Sequence, residues 1–127
     1  MSANVKDMLA AANAAVPRIS ADEARRMVEE QNAVIVDVRD SAELAANGKI
    51  PGSINIPRGM LEFRADAASQ YHDANLTTDR PVILHCASGG RSALSGATLK
   101  QMGYTNVYNL GGFKPDWVDA GGEVEKV

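Results

Sequence analysis

Two stretches of this chain stay apolar where an exposed strand would alternate: AVIVDV at 33–38 and PVILHC at 81–86. A strand with one wet face alternates polar and apolar residues, whereas one covered on both faces reads as a continuous β-branched run. Helix-like segments separate and flank the two runs. That order predicts an α/β domain with a central, mainly parallel sheet and helices on both faces. At 127 residues and 45% hydrophobic content, the chain has the length for one domain and the material for a core.

Other elements fall around these two strands. Val5, Met8, Leu9, Ala12 and Val16 follow helical spacing and predict an amphipathic helix. Its ordinary reading is a helix laid across the domain surface; the sharper one is a dimerisation or partner helix. Ser20 and Glu23 have capping-box spacing ahead of a second helix. SAELAAN, 41–47, reads as a short helix that Gly48 closes, and 48–52 as a turn. Residues 53–56 form a short strand ended by Pro57, 59–72 are loosely helical, and 73–80 are polar loop. A helix is predicted over 92–102, a strand over 106–110, a turn at Gly111-Gly112 and a last helix around Trp117. With a weak strand near 18–20, the sheet has about five strands.

The lone cysteine excludes an intrachain disulfide framework, a CxxC redox pair and a cysteine-rich zinc site. With two histidines elsewhere, no metal-ligand cluster is expected. Free cysteine is usually a small buried hydrophobe. Cys86, however, sits at the carboxyl end of an apolar strand, where α/β sheets bind ligands. Ala87, Ser88, Gly89, Gly90 and Arg91 follow, then a helix. Adjacent glycines permit a tight loop with several N–H groups turned inward, and the helix start adds its own unpaired donors. Such a cradle favours thiolate and can bring a cysteine pKa from ~8.5 into the range ~3.5–7.5. Thiolate is the nucleophile, so the loop both activates Cys86 and receives an anionic reactant. Spacing alone does not name the reaction.

VIVDVRDSAEL (34–44), GKIPGSINIP (48–57), VILHCASGGRSALSGATLKQMGY (82–104) and VYNLGGF (107–113) together resemble the rhodanese, or sulfurtransferase, family in its single-domain form. They occur in the family's order and span most of residues 18–120. The resemblance implies a five-stranded parallel α/β domain; the rhodanese domain is assigned to 18–127, and residues 1–17, which are not part of the shared pattern, are read as an N-terminal amphipathic helical extension. It implies that Cys86 is catalytic and that residues 86–91 form the active loop. Cys86 would take sulfane sulfur from a small anionic donor such as thiosulfate, become a persulfide, and pass the sulfur to cyanide or a thiol. No cofactor is implied. The phosphatases related to this family carry Cys-x5-Arg; here the spacing is Cys86-x4-Arg91, and the tighter ring suits sulfur better than a phosphoryl group. Two alternatives stand beside sulfurtransferase: a relay or interaction module that delivers persulfide to a protein partner, and a phosphatase or arsenate-type reductase.

Among other residues, Arg58 is expected near the pocket mouth, where it would attract the donor; a solvated surface arginine is the equal alternative. Asp37 and Arg39 read as a structural brace, with Arg39 paired to Glu43 or another nearby carboxylate. His85 neighbours Cys86 on a strand, so its ring faces the opposite way and no Cys–His dyad forms. Net charge of −3 and a pI near 5.3 argue against a general nucleic-acid partner. No apolar run approaches the ~18 residues of a membrane span. The N-terminus lacks a secretory pattern, so a cytoplasmic setting is expected.

Overall fold

The computed structural model describes residues 2–127; Met1, the first residue of the expected extension, lies outside the described residues. Four parallel strands form the sheet: β1 (Val34–Asp37), β2 (Ile54–Asn55), β3 (Val82–Cys86) and β4 (Val107–Gly112), in the order β2-β1-β3-β4. Helices α1 (Val5–Ala15), α2 (Ala21–Gln31), α3 (Ser41–Asn47), α4 (Leu61–Ala65) and α5 (Gly90–Gln101) surround it. The capping box is present: the Glu23 N–H donates to Ser20 Oγ and the Ser20 N–H to Glu23 Oε1.

The two apolar runs are covered on both faces. Val34, Val36, Val38, Val82, Leu84 and Cys86 join one core with Val16, Leu61 and Leu99. Ile35 and Ile83 face the other core, with Met27, Leu110, Phe113 and Trp117. Val36, Ile83 and Leu84 are fully buried. Each such side chain contributes about 1.5–3 kcal/mol of transfer free energy. Among the described residues, no helix is long and apolar enough to cross a membrane.

The sheet has four strands rather than about five. Residues 18–20 add only one parallel bridge, Arg18 to Asn109, along the outer edge of β4. The Asn109 N–H donates to Pro17 O and the Ile19 N–H to Asn109 O. Pro17 has no N–H with which to extend the ladder, and α2 begins at once. Gly111 and Gly112 continue β4 instead of leaving it, because the register shifts between Leu84 and His85 and makes room for an extra residue. Gly111 carries the positive φ, +102°, that this irregularity requires.

Helical structure within 59–72 shrinks to a 3-10 turn at Arg58–Met60 and α4. Beyond it, side chains of Asp66, Ser69 and Asp73 accept from N–H groups two residues ahead and hold successive turns. The last helix is a π-helical turn, Phe113–Val118.

Helix α1 packs along α5 through Ala12 and Val16, while Val5 and Met8 stay exposed. Gly96 permits this approach: a Cβ there would meet Val16 Cγ2 at 2.8 Å. The small side of α5 therefore receives α1 as well as the sheet, since the same Cβ would lie 3.4 Å from Val107.

Candidate active site

Cys86 ends β3 at the carboxyl edge of the sheet, and α5 begins at Gly90, two residues earlier than its sequence pattern suggests. The intervening turn closes over the thiol, which is 1% exposed. The Gly89 N–H donates to Cys86 Sγ at 3.0 Å, and Ser92 Oγ stands 3.5 Å from the same sulfur. Gly89 has φ +103°, a conformation that glycine enters without strain. Ala87 and Ser88 lie on the exposed rim.

Two buried polar residues hold this turn, and sequence reasoning missed both. Ser92 Oγ donates to Asn109 Oδ1 at 2.8 Å and also lies 3.1 Å from Gly89 O. Asn109 Oδ1 further accepts from the Gly111 N–H, and its Nδ2 donates to Gly89 O. The only signal in the chain was polarity inside otherwise apolar or small-residue elements.

Burial alone pushes the Cys86 thiol up, yet its pKa lies below the ordinary cysteine value. Hydrogen bonds from the Ser92 hydroxyl and N–H, and from the Gly89 and Ser88 N–H groups, outweigh the burial. The hydroxyl has one proton, which can turn from Asn109 to sulfur as thiolate forms. Ser92→Ala is therefore expected to move the alkylation–pH profile of Cys86 to higher pH. Iodoacetamide rates measured across pH check this; an unmoved profile would show that Ser92 does not stabilise the thiolate.

Arg91 is committed elsewhere. Its two terminal nitrogens donate to Glu43 at 2.8 and 2.9 Å, a bidentate pair that joins α5 to α3. Glu43 falls from 4.5 to about 2, chiefly through Arg91. Arg39 pairs with Asp37 rather than with Glu43. Its Nε and Nη2 reach that carboxylate, Nη2 also donates to Gly48 O at 2.9 Å, and its guanidinium lies 4.3 Å over the Phe113 ring. Asn55 Nδ2 donates to both the Asp37 and Arg39 carbonyls, which ties β2 to the end of β1.

The His85 ring stacks on Phe113 on the other face of the sheet. Burial lowers its pKa against the opposing pull of Asp37, and Nε2, 3.5 Å from Asp37 Oδ2, makes no hydrogen bond. Arg58 sits in the groove between α1 and α5, where it donates to Glu62 Oε1 at 2.9 Å and Thr98 Oγ1 at 3.2 Å. The fold thus brings Ala87, Ser88, Gly89 and Gly90 around Cys86, turns Arg91 toward Glu43, and places Arg58 along the flank of α5. Among the described residues, no three His, Cys, Asp or Glu side chains are grouped to hold a metal ion.

A strand-end cysteine in a glycine turn that opens a helix matches a known domain pattern. The pattern of the rhodanese-like domain runs through residues 20–120. The chain belongs to the rhodanese-like family. A sulfurtransferase from Allochromatium vinosum is 32% identical over 97 residues, 76% of this chain and 82% of the relative. A human thiosulfate:glutathione sulfurtransferase is 30% identical over 112 residues, covering 84% and 96% of the two chains. A solved Rhodopseudomonas palustris protein, described as of unknown function and a possible tyrosine phosphatase, superposes with a TM-score of 0.89. It is 37% identical and covers 98% of this chain and 96% of its own.

The sulfurtransferase relatives support sulfur transfer as the general chemistry of this rhodanese-like chain, with a sulfur donor and an acceptor as its substrates. The domain pattern starts beyond α1 and stops ahead of the last seven residues. The segments on either side nevertheless pack against the matched domain: α1 against α5, and Glu125 against Lys49.

Proposed function

We propose that this chain moves sulfane sulfur from thiosulfate, or a donor of similar charge and size, to a thiol or cyanide through a persulfide on Cys86. The observation that carries the reading is the Cys86 sulfur held by the Gly89 N–H at 3.0 Å beneath the first turn of α5. Cys86 thiolate attacks the outer sulfur of thiosulfate, the S–S bond breaks, and sulfite leaves with its electron pair. The terminal sulfur of the persulfide then carries the negative charge. Preorganised N–H groups in the loop stabilise it without reorganising, as oxyanion holes do. An acceptor attacks that sulfur and returns Cys86 as thiolate.

Phosphate-ester chemistry fits less well. The loop is tight, and both terminal nitrogens of the Arg91 guanidinium are already bonded to Glu43. A reducing, cytoplasmic setting suits a free thiolate of this kind. On this reading 86–91 is the active loop, residues 1–17 are an extension bracing α5, and 18–127 are the catalytic domain.

Intact mass spectrometry after mixing with thiosulfate tests the proposal. Wild type is expected to gain one sulfur atom and Cys86→Ser none. No gain on wild type, or a gain that survives Cys86→Ser, overturns it.

A further inference from the structure

Arg91, Arg39 and Arg58 each have their guanidinium engaged away from the cysteine sulfur: by Glu43, by Asp37, and by Glu62 with Thr98. Arg18 differs. It stands two residues ahead of the matched domain pattern, on the outer edge of β4, and its side chain is half exposed.

The Arg18 guanidinium rests on two residues that have no side chain. A Cβ on Gly89 would stand 3.6 Å from Arg18 Nη1, and one on Gly111 would collide with Arg18 Nη2. Gly89 is the residue whose N–H donates to Cys86 Sγ at 3.0 Å. The cation therefore borders the group that holds the sulfur. Asp116 occupies only part of it. Arg18 Nη2 lies 3.2 Å from Asp116 Oδ2, an oxygen that also accepts from the Gly112 N–H at 2.7 Å. Among the described residues nothing accepts from Nη1, the nitrogen beside Gly89. A half-exposed guanidinium with an unused terminal nitrogen suits an oxyanion, because its planar donors match paired oxygens and it is weakly hydrated.

We propose that Arg18 draws anionic reactants to Cys86 and binds the sulfonate end of the sulfur donor on the β4 side of the loop. The donor role rests on the persulfide reading above. Cys86 thiolate attacks the outer sulfur of thiosulfate, so the sulfonate end points away from Cys86 Sγ. A bond forms from Sγ to that outer sulfur, and the S–S bond of thiosulfate breaks. Sulfite leaves with the electron pair and two negative charges, and Cys86 keeps one as the persulfide. Arg18 offsets the charge of the donor on arrival and of sulfite as it forms.

Arg18→Gln removes the charge and Arg18→Lys keeps it. An exposed ion pair contributes little to stability, so both variants are expected to fold. Two rates are read by intact mass at one pH: sulfur gain from thiosulfate, and alkylation of Cys86 by iodoacetate. Each is divided by the rate with neutral iodoacetamide, so that a change in thiolate fraction cancels. Attraction scales with reactant charge. Arg18→Gln is therefore expected to lower the iodoacetate ratio about threefold and the thiosulfate ratio about tenfold. Arg18→Lys should hold both within about twofold of wild type, and at 1 M salt, where screening acts within about 3 Å, the loss in Arg18→Gln should shrink. Unmoved ratios in Arg18→Gln, an equal loss in Arg18→Lys, or a loss undiminished by salt overturns the proposal. If wild type gains no sulfur, the persulfide reading fails, and the iodoacetate ratio alone decides whether Arg18 draws anions to Cys86. If wild type gains sulfur and the ratios stand still, only the role of Arg18 fails.

Discussion

Gly112→Ala is expected to slow sulfur uptake by Cys86 about a hundredfold, the scale of loss that follows a misplacement of roughly 1 Å at a reacting centre. Gly112 pairs with Cys86 across β3 and β4. A Cβ at 112 would stand 2.5 Å from the carbonyl oxygen of Ala87 and 2.8 Å from Pro115 Cγ. Neither neighbour is the free end of a flexible side chain. The strand and the loop must therefore part, and the parting begins at the residue next to Cys86. The Gly89 and Ser88 N–H groups that favour thiolate would shift with the loop. Overpacking should cost about 1–3 kcal/mol of stability, so the variant is expected to fold. Gly59→Ala is the control, because a Cβ there meets nothing within 4 Å and no positive φ is involved. The time course of sulfur gain by intact mass is the measurement. Uptake at the wild-type rate in Gly112→Ala would show that contact between β4 and Ala87 does not set the loop.

The second large effect is on stability. Asp37→Ala is expected to destabilise the fold by about 3–5 kcal/mol, the usual cost of stripping one partner from a buried ion pair. Asp37 is fully buried and Arg39 is 1% exposed. Without the carboxylate, Arg39 Nε has no acceptor, and the guanidinium retains only Gly48 O and the Phe113 ring. Urea unfolding followed by far-UV circular dichroism checks the value. The double variant Asp37→Ala with Arg39→Met should recover much of the loss, because it leaves no unpaired charge. A loss below about 1 kcal/mol for Asp37→Ala, the range of an exposed pair, would contradict a buried role.

These two sites show how unevenly the fold was legible in the chain. The buried strands were readable because a run such as VIV or VIL has no polar residue to give to water. The pleat then divides their side chains between two faces, with Val34, Val36 and Val38 on one and Ile35 on the other. The α2 cap was readable because Ser20 and Glu23 satisfy each other's donors within one turn. Gly111 and Gly112 were misread as a turn because glycine signals positive φ without saying whether a turn or a strand irregularity uses it. The helix expected through 59–72 was cut short because Asp66, Ser69 and Asp73 offered their side chains to the backbone instead.

For the candidate site, the sequence by itself determined what is local: a thiol at a strand end, a glycine turn, and a helix whose first N–H groups lack partners. Those follow from chain spacing and backbone sterics, which need no distant residue. Tertiary structure alone decided which charges face the loop and which do not. Glu43, forty-eight positions before Arg91, takes its guanidinium. Asp37 takes Arg39, Thr98 and Glu62 take Arg58, and Asn109 anchors Ser92 and Gly89. A long, flexible side chain pairs with whichever partner the packed fold leaves within reach, and that choice depends on distances through space rather than along the chain.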